Sequence, residues 1–223
     1  MKAMILAAGY GKRLMPLTKD TPKPLLKVGN QSLIKRNINY LFKNGFSEIV
    51  INVSHLGELV QQHVEDNFPD KNISFSYEEK PLGTGGGILN ALKLLGSKPF
   101  LVINADIYHD INIKNLPKDI NAAHLIGVKN PSHNHLGDFS LKERTVVINE
   151  SNNNLTWCGI SVINPIIFEK NTFDNDSFSI WKSVLPQYIK KGMVTGQMSS
   201  EPWVDVGTLE RLKLANTVNN EEN

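Results

Sequence analysis

Cysteine is nearly absent from this 223-residue chain, tryptophan occurs three times, and neither sign of charge predominates. The lone Cys158 excludes an internal disulfide and any thiolate metal cluster. With 24 Lys and Arg against 22 Asp and Glu, the net charge of +2 gives no general attraction to nucleic acid or to a membrane surface. No apolar run approaches the ~20 residues that a membrane span requires. The first apolar stretch, Lys2 to Ala8, is too short for a signal peptide and runs straight into glycine. A soluble, cytoplasmic protein is therefore expected. His133 and His135 stand two apart, but no third ligand at metal spacing accompanies them, and a solvated loop is the expectation there. What remains is an ordinary globular composition, 40% hydrophobic and 21% charged, long enough to bury a full core as one domain over residues 1–223.

The informative stretch is the start, Ile5 to Leu26 (ILAAGYGKRLMPLTKDTPKPLL). An apolar strand empties into Ala7, Ala8, Gly9 and Gly11, followed by Lys12 and Arg13, with Lys23 between Pro22 and Pro24. Glycines let backbone N–H groups close on an anion, and Lys and Arg neutralise it, so the stretch suits a polyphosphate. It is not a dinucleotide fingerprint, because the place of the third glycine is filled by Leu14. Nor is it a P-loop, which would need Ser or Thr at Arg13 and Gly at Leu6.

Helix and strand signals then alternate. Ser32 is placed to cap a helix carrying Leu33, Ile34, Ile38, Leu41 and Phe42, with Gly45 at its end. Strands are expected at Glu48 to Val53 and, nearer an edge, Ile73 to Tyr77, separated by a helix over Gly57 to Phe68 with Leu59, Val60 and Val64 on one face. This pattern predicts an α/β fold: a Rossmann-like, mostly parallel mixed sheet with helices on both faces, and ligands at the carboxyl ends of the strands. The loop Glu78 to Gly87 (EEKPLGTGGG) leaves that same edge, so it should face Gly9. The apolar strand Phe100 to Ile103 ends in Asn104, Ala105 and Asp106, where a carboxylate needs a cation or a hydrogen-bond network. Asp is also a usual ligand of Mg²⁺. After Asn121 strands follow one another without helices, at Ala122 to Val128, Asp138 to Leu141, Thr145 to Ile148 and Leu155 to Ile163. The second half is therefore antiparallel-rich, with a hairpin turn at Lys142–Arg144. Pro186 should kink or shorten a helix over Ser179 to Lys191. Trp203 to Thr208 (WVDVGT) repeats the pattern of an apolar strand ending in an acid, Asp205, with Thr208 as a cap for a final helix from Leu209.

The run Gly9, Gly11, Arg13, Leu14, Pro16, Leu17, Thr18, Pro22, Lys23 and Pro24 resembles the signature of the sugar-1-phosphate nucleotidyltransferases, and the resemblance spans nearly the whole chain. It implies the nucleotide-diphospho-sugar transferase fold, with a nucleotide-binding half (1–120) and a sugar-phosphate-binding half (121–223). It implies catalytic roles for Arg13, Lys23 and Asp106. A nucleoside triphosphate would be held by Ala7, Ala8, Gly9, Gly11, Lys12, Arg13, Lys23, Glu78, Gly83, Thr84 and Asn104. Glu78, or Glu79 one place on, falls where relatives read the base, and a carboxylate there accepts from N–H groups of uracil or guanine. Gly137 and Asp138 would hold the sugar, with Asp138 also readable as a turn residue. Asp106 and Asp205 would hold Mg²⁺. Within the family, the Thr-Gly-Gly-Gly run, the Gly-Asp-Phe segment and the ending WVDVGTLERL resemble the uridylyl-transferring branch that charges N-acetylmuramic acid 1-phosphate in cell-wall sugar recycling. A heptose- or mannose-1-phosphate guanylyltransferase is the rival within the family, and a catalytically idle nucleotide-sugar sensor the rival outside it. Oligomeric state is left open.

Overall fold

The computed structural model describes residues 1–169 and 177–221. In chain order its strands are β1 (Ala3–Leu6), β2 (Lys27–Val28), β3 (Gln31–Ser32), β4 (Ile49–Val53), β5 (Ile73–Tyr77), β6 (Phe100–Asn104), β7 (Ile107–His109), β8 (Ala123–Lys129), β9 (Ser140–Lys142), β10 (Thr145–Val147), β11 (Leu155–Ile163), β12 (Val194–Met198) and β13 (Trp203–Asp205). The α-helices are α1 (Leu33–Lys43), α2 (Gly57–Asn67), α3 (Gly83–Leu95), α4 (Leu185–Lys190) and α5 (Leu209–Glu221).

Nine strands form one sheet in the order β5-β4-β1-β6-β11-β8-β12-β10-β9. β5, β4, β1 and β6 run parallel. β11 then pairs antiparallel with both β6 and β8, and β12 returns parallel to β8. The expected mixed sheet is thus observed, with antiparallel pairing concentrated in the second half. Side-chain alternation along β1 sorts the two faces: Ala3 and Ile5 pack with Ile34, Ile38 and Leu41 of α1 and Val60 and Val64 of α2. Met4 faces the other way, onto Ile88, Ala91 and Leu95 of α3 and Val184 and Leu185. Because helices cover both faces, β4 is buried at every residue, which is why it reads as a continuous apolar run. β5 is the edge, as its weaker pattern indicates.

Several local expectations need correction. Leu59 is 45% exposed and does not share the buried face of α2. The Gly83–Gly87 run is not loop but the first turns of α3. Those glycines are helical because nothing larger fits: a Cβ on Gly87 would come within 2.7 Å of both Asn52 Nδ2 and Glu78 Oε1. Ser32 does cap α1, its hydroxyl accepting from the Lys35 amide. Pro186 does divide its helix, a π-helical turn over Ile180–Val184 passing into α4.

A small third core ties the site together. Leu14 and Leu26 from the first loops, Leu33, Tyr108, Val204, Val206 and Ala215 pack beneath a two-stranded ribbon of β7 and β13. This ribbon brings the end of the chain back beside its beginning.

Candidate active site

Gly11 is where the first loop turns. Its φ of +65° suits glycine, its carbonyl accepts from the buried Thr18 hydroxyl at 2.9 Å, and an added Cβ would press on Thr18 and Lys23. The loop therefore folds back so that Lys23 stands beneath Lys12 and Arg13. Lys12 and Arg13 are exposed, and Arg13 makes no ion pair with a described residue.

A cleft of about 340 Å³ opens at the carboxyl ends of β1, β4, β5 and β6. From the first loop it is lined by Ala7, Ala8, Gly9, Gly11, Lys12, Arg13 and Lys23, from the start of α3 by Gly83 and Thr84, and from β6 and its turn by Asn104, Ala105 and Asp106. The sequence-predicted nucleotide residues are thus brought to one cavity. Of Glu78 and Glu79, Glu78 is buried and lines the cleft, whereas Glu79 is exposed.

Glu78 is not a free carboxylate. Its Oε1 accepts from Asn52 Nδ2 at 2.6 Å and its Oε2 from the Leu82 amide at 2.8 Å. Burial raises its pKa, and these two hydrogen bonds oppose the rise. Asn52, which no sequence signal singled out, accepts from the Ala7 amide through Oδ1 at 2.8 Å. One buried carboxamide thereby fastens the end of β1 to the end of β5. Thr84 is also partly committed, its hydroxyl accepting from the Ile180 amide at 3.1 Å.

Asp106 sits in the turn between β6 and β7, held from both sides. Asn37 of α1 donates to the Ile107 carbonyl at 3.3 Å and to the Ala105 carbonyl at 3.4 Å, while the Asp106 carbonyl accepts from the Val206 amide at 2.8 Å. The side chain pairs with Lys23 Nζ. Across the ribbon Asp205 pairs in register with Ile107, one residue from Asp106. The two acids are neighbours, and the charge of Asp106 acts on Asp205. Burial raises the Asp205 pKa, the nearby Arg211 guanidinium opposes that, and Asp106 adds to it.

Arg211 and His133 meet at Asp205, a contact that sequence reasoning did not assign to either. Arg211 Nη1 lies 2.5 Å from Asp205 Oδ2 and 2.7 Å from His133 Nε2. His133 Nε2 is also 3.1 Å from Asp205 Oδ1. A guanidinium can only donate, so that ring nitrogen is an acceptor and cannot also donate to Asp205. Accordingly Asp205 Oδ1 is buried without a hydrogen-bond partner. His133 does sit in an exposed loop, as expected, but makes a specific contact there. Its contact could not be foreseen from spacing, since its partner lies 78 residues away.

An orphaned carboxylate oxygen beside a second carboxylate suits a hard divalent cation, which uses one or two carboxylates together with phosphate and water oxygens. Among the described residues no group of three or more acidic, histidine or cysteine side chains could hold a metal. Water and substrate oxygens would complete the coordination of any ion here.

The sugar-side expectation does not hold in its simple form. Asp138 Oδ2 accepts from the Trp157 amide at 2.8 Å and Oδ1 from Asn134 Nδ2 at 3.2 Å, and neither Asp138 nor Gly137 lines the cleft. Asp138 closes the loop that carries His133 onto β11 rather than presenting oxygens to a sugar. Gly137 turns there with φ +64°, and an added Cβ would collide with the Asn153 carbonyl oxygen. Near this point β11 breaks register between Trp157 and Ser161, leaving Gly159 against Asn104 and the Cys158 carbonyl accepting from Trp203 Nε1 at 2.8 Å.

Among the described residues no helix is long and apolar enough to cross a membrane. The solved structure of a putative glucose-1-phosphate thymidylyltransferase from Bacillus anthracis shares the fold, with a TM-score of 0.85 at 23% identity over 100% of this chain and 96% of that one. The D-glycero-alpha-D-manno-heptose 1-phosphate guanylyltransferase of Campylobacter jejuni is 27% identical over 94% of this chain and 96% of its own length. The N-acetylmuramate alpha-1-phosphate uridylyltransferase of Neisseria meningitidis is 41% identical over 96% of each chain. The model of the nucleotidyl transferase family matches residues 2–130, the stretch that supplies the whole cleft except Gly207. With that match and the near full-length relative together, this chain belongs to the nucleotidyl transferase family, among its sugar-1-phosphate nucleotidyltransferases.

Proposed function

We propose that this protein transfers a uridylyl group from UTP to N-acetylmuramic acid 1-phosphate in the cytoplasm, releasing pyrophosphate, with Mg²⁺ as its cation. The nucleotide would occupy residues 1–120 and the sugar phosphate 121–223 of a single domain. The observation that carries this reading is the pair Asp106 and Asp205, one residue out of register across the β7–β13 ribbon, beside a glycine cleft with three cations at its rim. The 41% identical relative supports the uridylyl and muramate assignments.

Each residue has a task that follows from its surroundings. Arg13, exposed and without an ion pair to a described residue, meets the β- and γ-phosphates, with the Gly11 and Lys12 amides beside it. Lys23, now on Asp106, moves its ammonium to the α-phosphate and the incoming sugar phosphate. Asp106 and Asp205 would hold Mg²⁺, whose contribution when bound is to offset the charge of the phosphates and keep attacking and leaving oxygens in line. Gly83 and Thr84 line the base and ribose end, and Glu78, fixed by Asn52, offers acceptor capacity to a base N–H. The attacking phosphate is ionised at neutral pH, so no side chain serves as general base. Asn104, against Gly159 of the β11 bulge, lines the nucleotide cleft.

A carboxylate at the base end suits guanine as well as uracil, which keeps a heptose- or mannose-1-phosphate guanylyltransferase as the second reading. Pyrophosphate release from UTP and from GTP, each with N-acetylmuramic acid, mannose and heptose 1-phosphates, separates the two. UTP with the muramate acceptor should turn over fastest, and a preference for GTP would reject the uridylyl assignment. Asp106→Ala and Asp205→Ala should lose turnover while keeping native melting curves.

A further inference from the structure

Arg211 lies in the WVDVGTLERL ending but was given no role there, yet it makes the shortest contact of Asp205. Its side chain is 12% exposed, and α5 holds its backbone in place through Ala215 and Leu212 in the third core. Gly207, which lines the cleft, leaves room for this guanidinium beside that of Arg13: an added Cβ would collide with Arg211 Nη2 and come within 3.3 Å of Arg13 Nη2. The two guanidinium groups therefore share the space that the missing side chain of one glycine leaves open.

We propose that Arg211 is the resident counter-ion of Asp205: it competes with the divalent cation for this carboxylate and gives up its contact with Asp205 Oδ2 when the cation enters. This rests on the reading of Asp205 as a metal ligand. A guanidinium stays charged at any working pH, so it cannot give way by losing a proton. It must move, or its charge must oppose that of the cation across a few ångströms of partly buried space. The surroundings permit the movement. His133 Nε2 already accepts from the same Nη1 at 2.7 Å, so the guanidinium keeps one partner when it leaves Asp205. Asp205 meanwhile keeps Oδ1, the oxygen without a hydrogen-bond partner, for the incoming ion. Arg211 is thus a positioning residue that sets how readily the site takes up its metal.

The test is calorimetric titration of the full-length protein with MgCl₂ and MnCl₂, without substrates and at fixed pH and ionic strength, alongside melting curves. Arg211→Gln should bind either metal about tenfold or more tightly than the wild type, because one nearby positive charge is gone. Arg211→Lys should stay near the wild type, which a role in packing alone would not produce. Asp205→Asn should lose the binding. Unchanged or weaker metal affinity in Arg211→Gln, with binding still lost in Asp205→Asn, overturns the role of Arg211 and leaves the metal reading standing. Metal affinity indifferent to Asp205→Asn would instead reject the metal reading itself. Should the Gln variant melt too low to titrate, Arg211→Met carries the same expectation.

Discussion

Replacing His109 by Phe should abolish a loss of stability that the wild type suffers in mild acid. His109 lies on β7, 1% exposed, its ring edge-on to Tyr40 at 4.8 Å. Neither ring nitrogen has a hydrogen-bond partner. Burial, with the Arg36 charge adding to it, lowers its pKa from 6.5 to about 3. The folded-state value is depressed, so between those limits the unfolded chain binds a proton that the folded chain refuses. Stability is therefore present above pH 6.5 and lost as pH falls through 6.5, down to about 3. From 6.5 down to pH 5 the loss is one and a half pH units at about 1.4 kcal/mol each, or about 2 kcal/mol. That is a large share of the ~5–15 kcal/mol that typically separates folded from unfolded chains. His63 and His124 are also shifted down, chiefly by burial, and contribute slopes of the same sign. Both remain in the variant, so a double difference isolates His109. Urea melts of wild type and His109→Phe at pH 7 and pH 5 supply it: the wild type should lose about 2 kcal/mol more than the variant between the two. An equal loss in both proteins would refute the reasoning, because it would mean that His109 takes up its proton in the folded state.

Three further outcomes follow from the site. Lys23→Ala should lower kcat/KM by about 2–4 kcal/mol of transition-state stabilisation, read in a pyrophosphate-release assay, because a charge-assisted contact to the reacting phosphates is lost. Asn52→Leu leaves the Ala7 amide and the buried Glu78 carboxylate without a shared partner. It should cost about 2–4 kcal/mol in urea melts and raise KM for the nucleotide more than KM for the sugar phosphate. Asp138→Ala frees the Trp157 amide and Asn134, and should cost about 1–3 kcal/mol of stability; a variant as stable as wild type but with raised sugar-phosphate KM would restore the sugar-contact role.

What could be read in the sequence was what is local. β1, the Gly9–Gly11 turn and the strand-end acids declare themselves because an apolar run ending in glycine or aspartate carries its meaning within ten residues. The face assignment of β1 and the capping of α1 by Ser32 are likewise matters of short spacing. Asn52 was invisible for the opposite reason: it is the fourth residue of an apolar strand, and its two partners lie 45 and 26 residues away. Asp138 misled because a turn acid beside a glycine looks the same whether its oxygens face a ligand or, as here, an amide 19 residues on. The glycines of α3 read as loop because propensity disfavours them in helices, and their place is explained by tight packing, Gly87 against Asn52 and Glu78 and Gly85 against the Phe178 ring.

The balance of charge in the cleft shows why the missing half of the site mattered. Sequence reading supplied two acids and three cations and assigned every cation to phosphate. The structure instead pairs Lys23 with Asp106 and brings a fourth cation, Arg211, to Asp205, so each carboxylate already has a partner of opposite sign. Two adjacent half-buried carboxylates left bare would repel one another, at a cost to the fold. Lys23 and Arg211 remove that cost from opposite ends of the chain, Lys23 from the first loop and Arg211 from the last helix. The same pairing makes the site responsive, since an anion arriving at the Gly9–Lys12 loop offers both cations an alternative partner and frees both acids together. Lys12 and Arg13 have no acidic partner among the described residues, and both stand at the exposed rim where a triphosphate would arrive first.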